Sequence, residues 1–205
     1  MGRRGLLLVL SGPSGAGKGT LRQALLSRCP GLQYAVSATT RPPRPGEKEG
    51  EHYFFLSPAE FQRWLEARRF VEWARVYGHL YGSPRQPMES LLERGVDVVV
   101  EKDVQGAATL MRFYPEAAFV FVAPPSLAVQ EDRIRSRGTD SPASTACRLD
   151  AASREWGQAW RFDYLVVNDD LDRAVGEVLA VLRAEKRRVW RLRAAGELAS
   201  TGGEG

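Results

Sequence analysis

A glycine-rich loop carrying one lysine follows directly on the first apolar run of the chain. Residues 11–20 read Ser-Gly-Pro-Ser-Gly-Ala-Gly-Lys-Gly-Thr and follow the run 6–10. The spacing of Gly12, Gly17 and Lys18 lets successive backbone N–H groups converge on a polyphosphate, while the lysine brings a charge to its outer phosphates. The apolar residues that recur at helical spacing behind the loop are Leu21, Ala24, Leu25 and Cys29. The loop therefore predicts the handling of a nucleoside triphosphate.

The residue after the lysine departs from the common form of this loop. Gly19 stands where many such loops place a serine or threonine hydroxyl on magnesium, and Thr20 comes one place later. Magnesium dehydrates reluctantly and keeps several of its waters. We therefore expect Mg²⁺ to be held mainly by phosphate oxygens and waters, with Thr20 and Asp103 as the candidate protein ligands.

The composition is typical of one compact domain with small insertions. The chain has 205 residues, of which 43% are hydrophobic, so it can bury a sizeable core. Its apolar stretches are far shorter than a membrane span, and the N-terminus lacks the apolar run of a signal peptide. We expect a cytoplasmic protein with no membrane partner. Cys29 and Cys147 lie far apart, and His52 and His79 add no ligand cluster, so neither a disulfide nor a zinc site is predicted.

The net charge of +4 comes from one short segment. Residues 185–193 contain five basic residues and one acidic residue, which sum to +4 and leave the rest of the chain balanced. The favoured interpretation is a final helix whose cations lie near the negative end of its dipole. The alternative is an RNA-binding or membrane-binding patch. We expect no nucleic-acid partner, and we expect residues 194–205, which are small and polar, to form a disordered tail.

Short apolar runs alternate with helix-length segments along the chain. Strands are predicted near residues 6–10, 96–100, 118–122 and 165–167, each followed by a periodic stretch of polar and apolar residues. Continuous runs rich in valine and leucine are typical of a parallel sheet that is covered on both faces. The predicted fold class is therefore α/β, with a parallel sheet at the centre of a three-layer core.

Two insertions interrupt this alternation. About eighty residues of different character separate the first two core strands, and they include the aromatic series Tyr53-Phe54-Phe55. Within them, residues 57–60 form a capping box that opens a helix with Phe61 and Trp64 on its apolar face. We expect mostly antiparallel strands in this insertion. The second insertion, residues 137–148, is rich in glycine and serine and is predicted to be a mobile flap.

The segment Thr39–Leu56 resembles the signature of guanylate kinases. It reads Thr-Thr-Arg-Pro-Pro-Arg-Pro-Gly-Glu-Lys-Glu-Gly-Glu-His-Tyr-Phe-Phe-Leu. The other blocks that are similar to this family, in the family's order, are Phe70–Ala74, Tyr81–Pro84, Asp103–Ala107, Arg137–Thr139 and Val167–Asp170. The resemblance extends from residue 6 to about residue 185. It implies an enzyme that transfers the γ-phosphoryl group of ATP to GMP, giving ADP and GDP, with Mg²⁺ as cofactor.

The resemblance also implies three structural parts. Residues 1–36, 91–136 and 149–193 would form the P-loop kinase core. Residues 37–90 would form a mixed α/β GMP-binding subdomain, and residues 137–148 a small helical lid. The residues that it assigns to ATP are Gly12, Pro13, Ser14, Gly15, Ala16, Gly17, Lys18, Gly19, Thr20 and Asn168, the last of them near the adenine.

Two arginines and two tyrosines are suited to the phosphate of GMP. Arg41 and Arg44 supply two planar guanidinium groups, and Tyr53 and Tyr81 supply two phenolic hydroxyls. Such a set fits a dianionic monophosphate because each guanidinium can bind two phosphate oxygens at once.

Glu72 is the residue expected to determine the specificity for the base. Guanine has donors at N1 and at its 2-amino group, so one carboxylate can accept both, whereas adenine has an acceptor at N1 and would leave Glu72 unpaired. The resemblance places Ser37 and Ser83 at guanine O6. A hydroxyl donates or accepts, so these two serines alone would also tolerate the amino group of adenine.

Glu101 and Asp103 end the predicted strand 96–100. At a spacing of two they would point to the same side if the strand continues, and the resemblance places both near GMP and the metal. Lys102 stands where the family usually has an apolar residue. Its side chain is expected to project to the opposite side, and there to snorkel or to pair with an acid.

Phosphoryl transfer needs alignment, exclusion of water and positive charge rather than a general base, because the attacking phosphate is already anionic. The residues expected to stabilise the transferring group are Lys18, Arg41, Arg133, Arg137 and Arg148. The structural alternative for Arg133 and Arg137 is a pair of solvent-facing helix charges at i and i+4.

Two other classes of function stay open at this point. One is a non-catalytic guanylate-kinase-like interaction module, against which the glycine and lysine of the loop and the arginines argue. The other is a different nucleotide or sugar-phosphate kinase, or a P-loop switch, and the block from Arg41 to Tyr53 together with Glu72 argues against that class.

Overall fold

The computed structural model describes residues 3–76, 78–136 and 154–197. The strands in chain order are β1 (Leu7–Ser11), β2 (Leu32–Tyr34), β3 (Ser37–Thr39), β4 (Tyr53–Phe55), β5 (Phe70–Val76), β6 (His79–Pro84), β7 (Asp97–Glu101), β8 (Ala118–Ala123) and β9 (Tyr164–Val167). The helices bounded by described residues are α1 (Lys18–Arg28), α2 (Pro58–Glu66), α3 (Arg85–Glu93), α4 (Val104–Phe113), α5 (Leu127–Arg135), α6 (Leu171–Glu185) and α7 (Val189–Ala194). None of the described helices is both long and apolar enough to cross a membrane.

A parallel sheet in the order β2-β7-β1-β8-β9 forms the centre of the fold. Every residue of β1 and of β8 is buried, as strands covered on both faces must be. Leu8 and Leu10 face one apolar cluster, which receives α1 and α6, whereas Leu7 and Val9 face a second cluster that includes Leu110 of α4. The predicted α/β class and the predicted parallel sheet are thereby confirmed.

The edge strand β2 was not predicted from the sequence. It has only three residues, and of these only Leu32 is buried, so its apolar signal is too short to show in the pattern. It pairs in parallel with β7. The strand matters for the site because it ends at Tyr34, close to the carboxyl end of β7.

The inserted subdomain is built on a second sheet in the order β4-β3-β6-β5. The pairs β3–β6 and β5–β6 are antiparallel and the pair β3–β4 is parallel, so the prediction of mostly antiparallel strands holds. The capping box is also confirmed, since the Ser57 side chain accepts from the Glu60 backbone N–H and the Glu60 carboxylate accepts from the Ser57 N–H. Phe61 stacks on Phe70 with 4.5 Å between ring centroids, which fixes α2 against the sheet.

The basic segment near the C-terminus surrounds buried acids. Glu185 is 3% exposed, and Arg188 and Arg191 lie 2.8 and 3.3 Å from its carboxylate oxygens. Lys186 pairs with Asp97, which is also buried. These contacts join the turn after α6 to the sheet and give Lys186, Arg188 and Arg191 a structural role.

Candidate functional site

The glycine-rich loop joins β1 to α1 and leaves the first turn of that helix open. Gly17 is the N-cap residue with φ 81°, no described side chain caps the helix, and its first turn contains no acid. The unpaired N–H groups and the positive end of the helix dipole therefore face the loop, which is the environment that a phosphate prefers. Only glycine fits at position 12, where φ is 133°, because a Cβ there would lie 2.1 Å from the Val122 carbonyl oxygen.

Asn168 holds the glycine-rich loop through a buried hydrogen bond. Its side-chain amide donates to the Ala16 carbonyl oxygen at 2.8 Å, and it is 6% exposed. A Cβ at Gly17 would lie 2.4 Å from the same amide nitrogen, so only glycine allows this contact. The expected contact of Asn168 with adenine stays a prediction, and the structure adds a supporting role that the sequence did not reveal.

Lys18 begins α1 and turns back over the loop. Its Nζ donates to the carbonyl oxygens of Gly12 and Pro13 at 2.5 and 3.0 Å. These contacts hold the ammonium group at the mouth of the loop, where the outer phosphates of a bound triphosphate would lie.

One cleft of about 500 Å³ lies between the loop and the inserted subdomain. The predicted residues that line it are Gly12, Pro13, Ser14, Gly15, Ala16, Gly17, Lys18, Gly19, Ser37, Tyr53, Glu72, Tyr81, Glu101 and Asp103. The fold thus brings the glycine-rich loop and part of the second predicted site to one cleft, whereas Arg41, Arg44 and Ser83 of that site are not among the residues that line it.

Arg41 contacts Glu47, and Glu47 lines this cleft. The Arg41 Nη2 lies 2.8 Å from both carboxylate oxygens of Glu47, and the backbone N–H of Arg44 donates to the same carboxylate at 2.7 Å. Burial opposes ionisation of both partners. The pKa of Arg41 is nevertheless raised by hydrogen bonds to Glu47 and Tyr81, and the pKa of the Glu47 carboxyl is lowered by the Arg44 N–H and the Arg41 guanidinium. Burial raises the pKa of Tyr53, so its phenol keeps its proton and remains a donor.

Because the sequence predicts that Arg41 binds the acceptor phosphate, Glu47 is expected to position that arginine. The variant Glu47→Gln is expected to raise the KM for GMP about tenfold with little change in kcat, because it loses a charge-assisted contact that orients Arg41. Steady-state kinetics at saturating ATP measure both constants. Glu51→Gln, an exposed acid in the same loop, is the matched control. A lower KM would show instead that Glu47 competes with the phosphate for Arg41.

Glu72 lies at the other end of the cleft, where a β-bulge in β5 turns it inward. The register between β5 and β6 shifts between Phe70 and Trp73, so Val71 and Glu72 are both buried despite being neighbours. A bulge re-aims a side chain in this way. Glu72 is 9% exposed, and the Ser83 hydroxyl donates to its Oε1 at 2.6 Å. The Glu72 side chain therefore does not face solvent.

The prediction that Lys102 projects to the opposite side is wrong. The strand β7 ends at Glu101, so the alternation of sides does not continue to Lys102. Its side chain enters the same cleft, where Nζ lies 3.0 Å from Glu72 Oε1 and 3.0 Å from Ser37 Oγ. The expected pairing with an acid does occur, and the partner is Glu72.

Glu101 and Asp103 both line the cleft but have different neighbours. Asp103 is the N-cap of α4, and its Oδ1 accepts from the Gly106 N–H at 2.7 Å. Glu101 Oε2 lies 3.6 Å from Arg22 Nε, and a Cβ at Gly19 would lie 3.6 Å from the same oxygen. Glu101 therefore faces the loop position at which other P-loops carry a hydroxyl.

A second cleft, of about 330 Å³, adjoins the loop on its other side and is lined by Gly15, Gly17, Thr20, Arg133 and Asn168 among others. Arg133 donates from Nη2 to the Asn168 carbonyl oxygen at 3.0 Å, while its Nη1 is buried with no hydrogen-bond partner among the described residues. A buried donor without a partner beside a phosphate loop favours an anionic ligand there. The solvent-facing alternative for Arg133 does not fit. Arg137 and Arg148, with the predicted lid, lie outside the described residues.

Several residues that line the first cleft were missed by the sequence reasoning. They are Arg22, Tyr34, Glu47, His52 and Glu155. The Arg22 guanidinium lies 4.0 Å over the Tyr34 ring. Glu47 and His52 lie inside the quoted signature and could have been found from it, whereas nothing in the local pattern around Glu155 points to the loop. Its position depends on the packing of the segment after residue 153.

Glu155 should lower the stability of the free protein at neutral pH. Burial raises the pKa of its carboxyl, with help from Asp103, and outweighs Lys18 and the Ser14 N–H, which lower it. A carboxyl with a raised folded pKa stabilises the protein below its unfolded pKa, and this contribution is lost as the pH rises through the folded pKa. The variant Glu155→Gln is therefore expected to have a larger free energy of unfolding at pH 7 and a flatter pH dependence above the ordinary glutamate pKa.

Urea denaturation at a series of pH values measures this effect. Glu93→Gln, an exposed acid on α3, is the control and should leave the curve unchanged. Equal pH dependence in Glu155→Gln and the unmodified protein would contradict the assignment.

The fold and these two clefts define a class. A P-loop at the carboxyl end of a central parallel strand, facing a second polar wall across one cleft, is the arrangement of a P-loop phosphotransferase with a small phosphorylated acceptor.

Comparison with known proteins identifies the family. The family model for guanylate kinase matches residues 4–185. The chain is 48% identical over 189 residues to a guanylate kinase of Symbiobacterium thermophilum, covering 92% of this chain and 89% of that protein. It is 48% identical over 198 residues to a guanylate kinase of Thermus thermophilus, covering 97% and 88%. The crystal structure of guanylate kinase from Anaplasma phagocytophilum superposes with a TM-score of 0.77 at 31% identity, covering 97% of this chain and 98% of that one.

The chain belongs to the guanylate kinase family. Its activity is that of an ATP:GMP phosphotransferase, which converts ATP and GMP into ADP and GDP. The matches give no support to the non-catalytic interaction module.

Proposed function

We propose that GMP binds in the first cleft, with its base at Glu72 and its phosphate toward Arg41, and that ATP binds with its phosphates on the P-loop. The observation that carries this assignment is that Lys18 and Glu72 line the same cleft of about 500 Å³. The adenine of ATP would lie on the side of the second cleft, toward Asn168 and Arg133. The two nucleotides would thus meet phosphate to phosphate over the loop.

Phosphoryl transfer in this arrangement needs no general base. An oxygen of the GMP phosphate forms a bond to the γ-phosphorus of ATP, and the bond from that phosphorus to the bridging oxygen breaks, so that ADP leaves with the electron pair. The developing charge requires fixed cations near the transferring group. Lys18, Arg41 and Arg133 are the described candidates, and the unpartnered Nη1 of Arg133 supports its role. Arg137 and Arg148 remain proposed members of the same set.

Mg²⁺ fits the oxygen-rich end of the first cleft. Glu101 and Asp103 supply hard carboxylate oxygens there, and Thr20 lines the second cleft, which adjoins the same loop. Thr20 and Asp103 remain the candidate protein ligands of the ion. Within the described residues no group of three or more acidic, histidine or cysteine side chains could hold a metal ion by itself. We infer that Glu101 and Asp103 order waters around an ion held by phosphate oxygens, which would neutralise phosphate charge when bound.

The structural parts follow the same division. We propose a core of residues 1–36, 91–136 and 149–193, a GMP-binding subdomain of residues 37–90, and a lid of residues 137–148. The two sheets support the first two parts, since β3 to β6 form a sheet of their own. We further propose a cytoplasmic enzyme whose partners are ATP and GMP rather than nucleic acid or a membrane.

A coupled assay of ADP formation tests the substrates directly. With ATP and Mg²⁺ we expect turnover with GMP and background rates with AMP, UMP and CMP, and we expect chelation of the metal by EDTA to abolish the signal. Turnover of AMP at a rate comparable to that of GMP would contradict the assignment of the base pocket. Undiminished activity in EDTA would contradict the role given to the metal.

A further inference from the structure

Lys102 places a buried positive charge at the base end of the first cleft. Its side chain is 9% exposed and that of Glu72 is 8% exposed, so the two charges face each other away from water. Nζ also donates to Ser37 Oγ at 3.0 Å. All three side chains therefore meet where the proposed function puts the guanine ring.

The contacts of Glu72 are crowded onto one of its oxygens. Oε1 accepts a hydrogen bond from the Ser83 hydroxyl at 2.6 Å and lies 3.0 Å from Lys102 Nζ in an ion pair, whereas no described residue donates a hydrogen bond to Oε2. Guanine brings two further donors, N1–H and the 2-amino group, which need both oxygens of one carboxylate. Because the Ser83 hydroxyl and the Lys102 ammonium group both lie against Oε1, a guanine donor can reach that oxygen only if one of them moves.

Lys102 is the donor best suited to move. Its stem is long and flexible, whereas the Ser83 hydroxyl is fixed close to the strand. Guanine itself offers an acceptor beside N1, the carbonyl oxygen O6. If guanine N1–H displaces Lys102 from Glu72 Oε1, the lysine can donate to the neighbouring O6 of guanine instead. Its charge then remains close to the Glu72 carboxylate.

We propose that Lys102 is a specificity-determining residue that holds Glu72 in the free enzyme and donates to O6 of guanine in the complex. This inference rests on the proposed function, in which the first cleft binds GMP. An ammonium group has three donors and no acceptor, so it cannot pair with the 6-amino group of adenine. Ser37 and Ser83 can pair with either base. Lys102 thus recognises the group at position 6 of the purine ring, and Glu72 recognises the groups at positions 1 and 2.

The test compares GMP with 6-thio-GMP, which keeps N1–H and the 2-amino group but replaces O6 by a weakly accepting sulfur. Calorimetry measures Kd for both ligands. We expect the unmodified enzyme to bind GMP roughly tenfold more tightly, since a charged hydrogen bond is lost with the sulfur. In Lys102→Met the Kd of GMP should rise roughly tenfold or more and that of 6-thio-GMP much less, so that the preference disappears.

Lys48→Met, an exposed lysine in the same subdomain, is the matched control and should keep the preference. Equal weakening of both ligands in Lys102→Met would reduce Lys102 to a structural role, and tighter binding of GMP would show that it only competes for Glu72. Either result overturns the proposal.

Two further variants keep the outcome clear. Lys102→Met leaves Glu72 buried without its counter-ion and could fail to fold for that reason. In that case the double variant Glu72→Gln with Lys102→Met is compared with Glu72→Gln alone. The double variant contains neither of the two charges. Loss of the GMP preference over 6-thio-GMP on removing Lys102 is again the expected result. If Glu72→Gln leaves GMP binding unchanged, the base pocket itself is misassigned. If only the lysine variants are without effect, the inference about Lys102 alone fails.

Discussion

Replacing Lys18 by alanine is expected to lower kcat by a factor on the order of 10² to 10³ or more while GMP still binds. The ammonium group lies at the mouth of the phosphate loop, held by the carbonyl oxygens of Gly12 and Pro13. Charge moves through the phosphoryl group during transfer, and a fixed cation near it stabilises the transition state more than the ground state. The loss should therefore fall on kcat more than on the affinity for GMP.

Steady-state assays of ADP formation and calorimetric titration with GMP separate these two effects. Lys18→Met tests charge alone, because it keeps the length of the stem, and should be as inactive as Lys18→Ala. Lys48→Ala is the control for a lysine outside the cleft and should leave kcat unchanged. A Lys18→Ala enzyme with more than a tenth of normal kcat would refute the role given to this residue.

Replacing Glu72 by glutamine is expected to remove most of the preference for GMP over AMP, a loss of roughly a thousandfold in the ratio of kcat/KM values. Glutamine can still accept one donor from guanine, but its amide nitrogen then faces a guanine donor, and it pairs with adenine equally well. The unfolding free energy should fall by about 3 kcal/mol, because the charge opposite buried Lys102 is lost, while the glutamine oxygen can still accept from Ser83 and Lys102 keeps its contact with Ser37. Discrimination should thus suffer more than stability.

The comparison needs kinetics with both nucleotides and a denaturation curve for the same variant. Glu66→Gln, an exposed acid on α2 of the same subdomain, should change neither quantity. An unchanged GMP-over-AMP preference in Glu72→Gln would defeat the assignment, whatever the change in stability.

Local patterns in the sequence were sufficient for the parts of this protein that depend on neighbours along the chain. The strand, loop and helix around Lys18 form one continuous unit, and the capping box at Ser57 requires only four residues. The continuous segment from Thr39 to Leu56 was likewise sufficient to reveal the resemblance to the guanylate kinase family. Buried parallel strands are likewise visible as continuous apolar runs, because both faces of each strand are covered.

Contacts between distant segments were decided only by the tertiary structure. The direction of Lys102 depends on where β7 ends and on the bulge that brings Glu72 inward from β5, whereas alternation along β7 predicts the opposite direction for Lys102. Glu155 reaches the phosphate loop from more than a hundred residues away. A residue's type and spacing determine which chemistry it can perform, since these are properties of the local chain. Which charges share a cleft is determined by the packing of sheets and loops, and no local pattern contains that information.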